Sequence, residues 1–107
     1  MTTLDPGANH LVLINTFTVH PTRADELVEL LASATEEVMR HLPGFISANL
    51  HVSLDHRHVV NYAQWRSRED FDAMQRDPQA QAHMKKAGAL AQSFDPVFYE
   101  LRHAIAA

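Results

Sequence analysis

The chain has 107 residues, with 9 Lys+Arg against 13 Asp+Glu for a formal charge of −4, 46% hydrophobic residues and no cysteine. That length suits one domain of roughly 100 to 150 residues, and the lack of cysteine excludes disulfides, zinc–thiolate centres and thiol nucleophiles. The mild acidity is spread along the chain, so there is no basic patch for nucleic acid, and the longest apolar run, Leu11 to Ile14, is far too short to span a bilayer.

Residues 1–10 read as a flexible lead-in to a single domain covering 1–107. They lack the charged and apolar regions of a signal peptide, so a cytoplasmic protein is expected. Leu11 to His20 is rich in β-branched and aromatic residues and predicts a strand closed by Pro21. Alternation sets Leu11, Leu13, Asn15, Phe17 and Val19 on one face, against Val12, Ile14, Thr16, Thr18 and His20. Thr22 with Asp25 resembles a helix cap. Leu27, Leu30, Leu31, Ala34, Val38 and Leu42 then follow at helical spacing until Pro43-Gly44.

From Phe45 to Leu54 the period becomes two, and a turn of Asp55, His56 and Arg57 leads into a strand from His58 to Arg66. So short a connection makes an antiparallel hairpin. Ser67 with Asp70 repeats the cap pattern and opens a short helix through Phe71, Met74 and Gln75. Asp77-Pro78 interrupts it, a second helical piece runs from Gln79 to about Ala91, and a last strand covers Phe94 to His103. The order βαββαβ predicts an α+β, ferredoxin-like domain: a four-stranded antiparallel sheet with both helical crossovers on one face. The other face is also apolar, through Val12, Ile14, Val60 and Tyr62. It must be covered, and a second copy packed sheet to sheet is the expected cover.

Asn15 and Asn61 each interrupt an apolar strand face beneath the helices. A buried amide without a partner costs about 1 to 3 kcal/mol, so each needs protein, water or a ligand. Trp65, four residues beyond Asn61 on the same face, can line one hollow with it. Phe71, Met74, His83 and Met84 come from the segment that would roof that hollow, although core packing is the ordinary fate of such Phe and Met residues. His83 sits among small alanines and can exchange a proton or ligate a metal; a solvated His on the helix exterior is the equal alternative. His51, His56 and His58 cluster at the hairpin too loosely for a metal site. His51 faces away from Asn61 if the turn has two residues and beside it if the turn has three, because a one-residue slip reverses every side chain. Eight histidines would shift the charge from −4 to +4 if all were protonated, so properties should change between about pH 7 and pH 5. There is no phosphate-cradling glycine loop, nucleophile elbow or dinucleotide fingerprint.

The stretch His58-Val59-Val60-Asn61-Tyr62-Ala63-Gln64-Trp65-Arg66-Ser67, with Pro43-Gly44-Phe45-Ile46-Ser47-Ala48 before it and an Asp-Pro pair after it, resembles the antibiotic biosynthesis monooxygenase superfamily. It is most similar to the quinone-forming anthrone monooxygenases of aromatic polyketide pathways. The resemblance runs from Leu11 to Leu101 and implies a dimeric α/β barrel. It also implies oxygen insertion without metal, flavin or haem, from a small hydroxylated aromatic substrate and molecular oxygen. The substrate is its own reductant: its anion passes an electron to oxygen, and the resulting peroxide collapses to a quinone. Asn61 and Trp65 then contact the substrate anion or peroxide, His83 or His51 carries the proton, and Asn15, Phe17, Phe71, Met74 and Met84 hold the substrate. Phe71 and Met84 stand where the subgroup has a tyrosine and an arginine. The haem-degrading branch offers an alternative in which Asn15 and His83 match functional positions while Met74 replaces the tryptophan. A non-catalytic dimeric small-molecule binding protein is the third reading, since fold analogy proves no reaction.

Overall fold

The computed structural model describes residues 2–107. Strand β1 (Leu11–Thr18) leads to helix α1 (Ala24–Glu37), strands β2 (Phe45–Val52) and β3 (His58–Trp65) form a hairpin, helices α2 (Arg68–Gln75) and α3 (Pro78–Leu90) follow, and β4 (Ser93–Glu100) closes the sheet. The strands lie in the order β2-β3-β1-β4, with every neighbouring pair antiparallel. Leu13, Phe17, Val59, Ala63 and Trp65 face the helices and meet Leu27, Leu31, Ala34, Phe71, Met74 and Ala87 in the core. This is the ferredoxin-like sheet with one helical layer that the sequence predicts. None of the helices among the described residues is long and apolar enough to cross a membrane.

Local chemistry explains where the elements end. The expected Thr22 cap is replaced by His20, whose Nδ1 accepts from the Thr22 amide at 3.3 Å, because Pro21 first winds Pro21–Arg23 into a 3-10 turn. Helix α1 has no side-chain cap and stops at Glu37 rather than Leu42. Val38 leaves helical geometry at φ −123° and ψ −66°, and Met39–His41 continues as a 3-10 turn. The Ser67 cap forms as expected, and Asp77 supplies a further one beyond those predicted from the sequence. The Ser67 Oγ accepts from the Asp70 amide at 3.2 Å and donates to Asp70 Oδ2 at 3.0 Å. The Asp77 carboxylate accepts from the Gln79 and Ala80 amides at 3.0 Å each, with Pro78 in the first turn, where its missing N–H costs nothing.

The Pro43-Gly44 turn is locked onto the start of α2. Gly44 holds φ +82°, the Arg66 amide donates to the Gly44 carbonyl at 2.7 Å, and a Cβ at Gly44 would stand 2.3 Å from the Asp70 side chain. Arg66 grips the same carboxylate through two nitrogens at 2.8 and 3.0 Å, and this contact, chiefly, holds Asp70 below the ordinary carboxylate range. Strand β2 carries a bulge between Phe45 and Ser47. In β4, Pro96 lies opposite Asn15 on the outermost strand.

On the sheet face away from the helices, residues 2–10 cover one end. Gln64, 1% exposed, donates to the Thr3 carbonyl and to Ser47 Oγ at 3.1 Å each and shares a 3.3 Å hydrogen bond with His10. The Thr2 hydroxyl donates to Asn49 Oδ1 at 2.7 Å. Beyond that cover, the row Val97, Ile14 and Tyr62 crosses three strands, with Val97 and Tyr99 exposed.

Candidate active site

A cavity of about 250 Å³ lies between the sheet and the helices. This is just below the roughly 300 to 1000 Å³ usual for small-molecule sites. Its floor comes from the two central strands, where Asn15 stands directly opposite Asn61. The small side chains of Ala48 and Ala63 open space beside them, and Trp65 closes one end. The roof combines Ala34 and Thr35 of α1, Phe71 and Met74 of α2, and Met84 and Gly88 of α3, together with Met39 from the 3-10 turn. Gln75, Phe94 and Pro96 are lining residues that are also exposed, and they mark the open side.

Most of the lining is apolar, which makes its few polar groups informative. The side-chain oxygens of Asn15 and Asn61 are sealed from solvent and have no hydrogen-bond partner. Leaving one such acceptor unmet costs about 1 to 3 kcal/mol, so two on facing strands are a standing expense that packing alone would have removed. The Thr35 hydroxyl donates to the Leu31 carbonyl at 2.8 Å, which leaves its oxygen to act as an acceptor. Trp65 is fixed edge-on between Phe45 and Phe71, with ring centroids 5.4 and 6.1 Å away, and Phe71 meets Phe98 in the same manner at 5.1 Å. Such perpendicular contacts suit the aromatic quadrupole and hold the indole in one orientation. Arg68 places its guanidinium 4.1 Å from the centre of the Phe98 ring and pairs with Asp72, so its charge stays outside the cavity. None of the lining residues carries a charge at neutral pH.

Of the residues singled out from sequence, Asn15, Phe17, Asn61, Trp65, Phe71, Met74 and Met84 line this one cavity. The two histidines do not. Val52 pairs with Val59 and His51 with Val60, the register of the shorter-turn alternative, although the loop itself runs over residues 54–57 with His56 at φ +60°. His51 is therefore exposed on the opposite sheet face from Asn61. His83 lines a separate groove with Glu37, Val38, Gln79 and Ala82, and its Nδ1 is buried without a partner there. Met39, Thr35, Ala48 and Gln75 line the cavity without having been singled out. Met39 lies off the apolar stripe of α1 and turns inward only because the chain rewinds at Val38.

The sequence pattern of the antibiotic biosynthesis monooxygenases matches residues 10–86. The chain belongs to that family. It is 42% identical to the tetracenomycin-F1 monooxygenase of Streptomyces glaucescens over all of this chain and 95% of the relative. The ActVA-Orf6 monooxygenase of Streptomyces coelicolor, solved with the ligand nanaomycin D, superposes with a TM-score of 0.86 at 34% identity, covering 96% of each chain. SnoaB of Streptomyces nogalater, described as a cofactor-independent oxygenase, shares the fold at a TM-score of 0.78 and 22% identity, over 91% of this chain and 97% of its own. As a family member this chain is an enzyme, a monooxygenase, and the matched pattern runs from just before β1 into α3.

Proposed function

We propose that this monooxygenase oxidises a hydroxylated polycyclic aromatic of the anthrone type to a quinone with molecular oxygen, without a cofactor, and works as a homodimer. The observation that carries this reading is the pair of amides, Asn15 and Asn61, facing each other in the floor of an apolar cavity with both side-chain oxygens unpartnered, which leaves their NH2 groups as the donors to a bound anion. A planar aromatic fills the space between the sheet and the sulfur- and phenyl-lined roof, and a plate of more than three rings projects through the open side at Phe94 and Pro96. Ionisation of the substrate gives a carbanion–phenolate whose charge is met by the Asn61 amide and the Trp65 indole N–H, with Asn15 assisting. Donors aimed at charge that develops during reaction stabilise it most where water is excluded.

The balance closes without an external reductant. The anion gives one electron to oxygen, the radical pair joins as a peroxide anion at the ring carbon, a proton taken back from water makes it the hydroperoxide, and loss of water leaves the carbonyl of the quinone. One oxygen atom enters the product and the other leaves as water. No lining side chain titrates near neutrality, so the first proton goes to water at the open side and not to His51 or His83. His83 is also badly placed to ligate haem against Asn15, because its groove is not the cavity that Asn15 lines. The kinship with aromatic-polyketide monooxygenases supports the substrate class. The open apolar row of Val97, Ile14 and Tyr62 supports pairing through that sheet face.

The test is turnover of dithranol and larger anthrones in air by protein stripped with chelator, followed by quinone absorbance. Formation well above the buffer rate is expected. Rates equal to buffer across the series would overturn the assignment.

A further inference from the structure

Methionines occur at four positions, and the three internal ones, Met39, Met74 and Met84, all line the same cavity. They arrive there from three different elements: the 3-10 turn after α1, helix α2 and helix α3. Met39 and Met74 are 7% and 6% exposed, so the cavity is the route by which a reagent reaches them. Thioethers are soft, flexible wall material for a planar ring, but they are also the most easily oxidised groups in this lining. Opposite them stand the amides of the floor.

We infer that these methionines form an oxygen-atom-accepting site for aromatic hydroperoxides held in the cavity. The inference rests on the proposed function for its physiological oxidant, a hydroperoxide on the ring carbon of the substrate. Two fates compete for that species. In the productive one the ring carbon loses its proton and the peroxide loses water to give the quinone. In the other, a thioether sulfur attacks the distal peroxide oxygen. The O–O bond breaks, an S–O bond forms, and the proton returns to the proximal oxygen. The hydroperoxide is reduced by two electrons to the alcohol while methionine is oxidised by two electrons to the sulfoxide. The sulfoxide is polar and chiral, and it lies in a roof built otherwise of Ala34, Phe71 and their neighbours. The enzyme therefore carries a built-in turnover limit, reversible by sulfoxide reduction.

A first arm needs no catalysis. Resting protein is treated with cumene hydroperoxide or hydrogen peroxide, and each methionine is mapped by mass spectrometry, with the urea-unfolded chain as reference. Folding should favour the aromatic oxidant over hydrogen peroxide by about tenfold or more, through held proximity. The reaction at Met39, Met74 and Met84 should saturate and be slowed by anthraquinone. Equal treatment of the two oxidants, or no protection, overturns the inference. In the second arm the enzyme turns over dithranol with catalase present. Sulfoxide should accumulate with quinone, activity should fall in step, and methionine sulfoxide reductases A and B should restore it. Quinone formed with the three sulfurs intact overturns the inference and leaves the oxygenase assignment standing. Absence of quinone overturns that assignment, while the first arm still decides the sulfur site.

Discussion

Replacing Asn61 by leucine should make the protein more stable and less active, and the two effects together test why an amide stands in the floor. The Asn61 side-chain oxygen is sealed and unpartnered, and so is that of Asn15 directly opposite. Leucine has the same branched shape and heavy-atom count, somewhat more bulk that the adjoining cavity can take up, and no polar atom. It removes an unmet acceptor worth about 1 to 3 kcal/mol, and 1 kcal/mol moves the melting temperature of a domain this size by roughly 4 to 8 °C. Scanning calorimetry should therefore show Asn61→Leu melting at least about 4 °C higher. Quinone formation should fall in kcat by about 10² to 10³, the loss typical when a donor to developing charge is removed. Asn15→Leu should behave in the same direction, but the double variant should not sum the two, because facing residues couple. A melting temperature lowered by a similar amount would mean that the amide supports the fold, and an unchanged kcat would remove it from the chemistry.

Other outcomes follow from the same geometry. Trp65→Phe keeps the edge-on packing against Phe45 and Phe71 but deletes the indole N–H, so kcat should drop about tenfold or more while the melting temperature moves little. Because none of the lining residues titrates near neutrality, the kcat/KM profile should rise with the ionisation of each anthrone used and move when the substrate's acidity is changed; a profile fixed across substrates would point to an enzyme base. Gly44→Ala forces a Cβ into a left-handed φ of +82° and against the Asp70 carboxylate. The backbone term alone is about 1 to 2 kcal/mol, so a clear loss in denaturant midpoint is expected. Asp70 ionises below its ordinary value near 3.8, first because Arg66 bonds it. Its contribution is complete above that value and lost as pH falls through the lower folded one, so Asp70→Asn should flatten the acid limb of stability below about pH 4 in circular-dichroism titrations. Val97→Glu puts a charge in the open apolar row, so sedimentation should show the proposed dimer for the parent chain and a monomer for the variant; a monomeric parent would refute the pairing.

The element order and the grouping of Asn15, Asn61 and Trp65 were legible because they depend on strand alternation, which a period of two fixes strongly. The histidines were not. His51 changes face with one residue of slip, and the register was decided by a four-residue loop stapled by Ser53, Asp55 and Arg57. His83 lies on an alanine-rich helix whose faces differ little in polarity, so its sequence says almost nothing about which side packs inward. Met39 was hidden for a third reason. The apolar spacing through Val38 and Leu42 continues as though the helix did, yet the backbone changes winding at Val38 and turns the next side chain into the core. His20 displaced Thr22 as a cap because Pro21 starts a tighter turn one residue earlier.

Both free borders of the sheet are blunted. The outermost β4 includes Asp95 and Pro96, a residue with no amide hydrogen to offer, and the opposite border β2 is kinked by its bulge beside Phe45. A further chain cannot easily extend the ladder from either side. The proposed homodimer would therefore form through the broad face, where two copies close on each other and stop, instead of growing strand by strand into a filament.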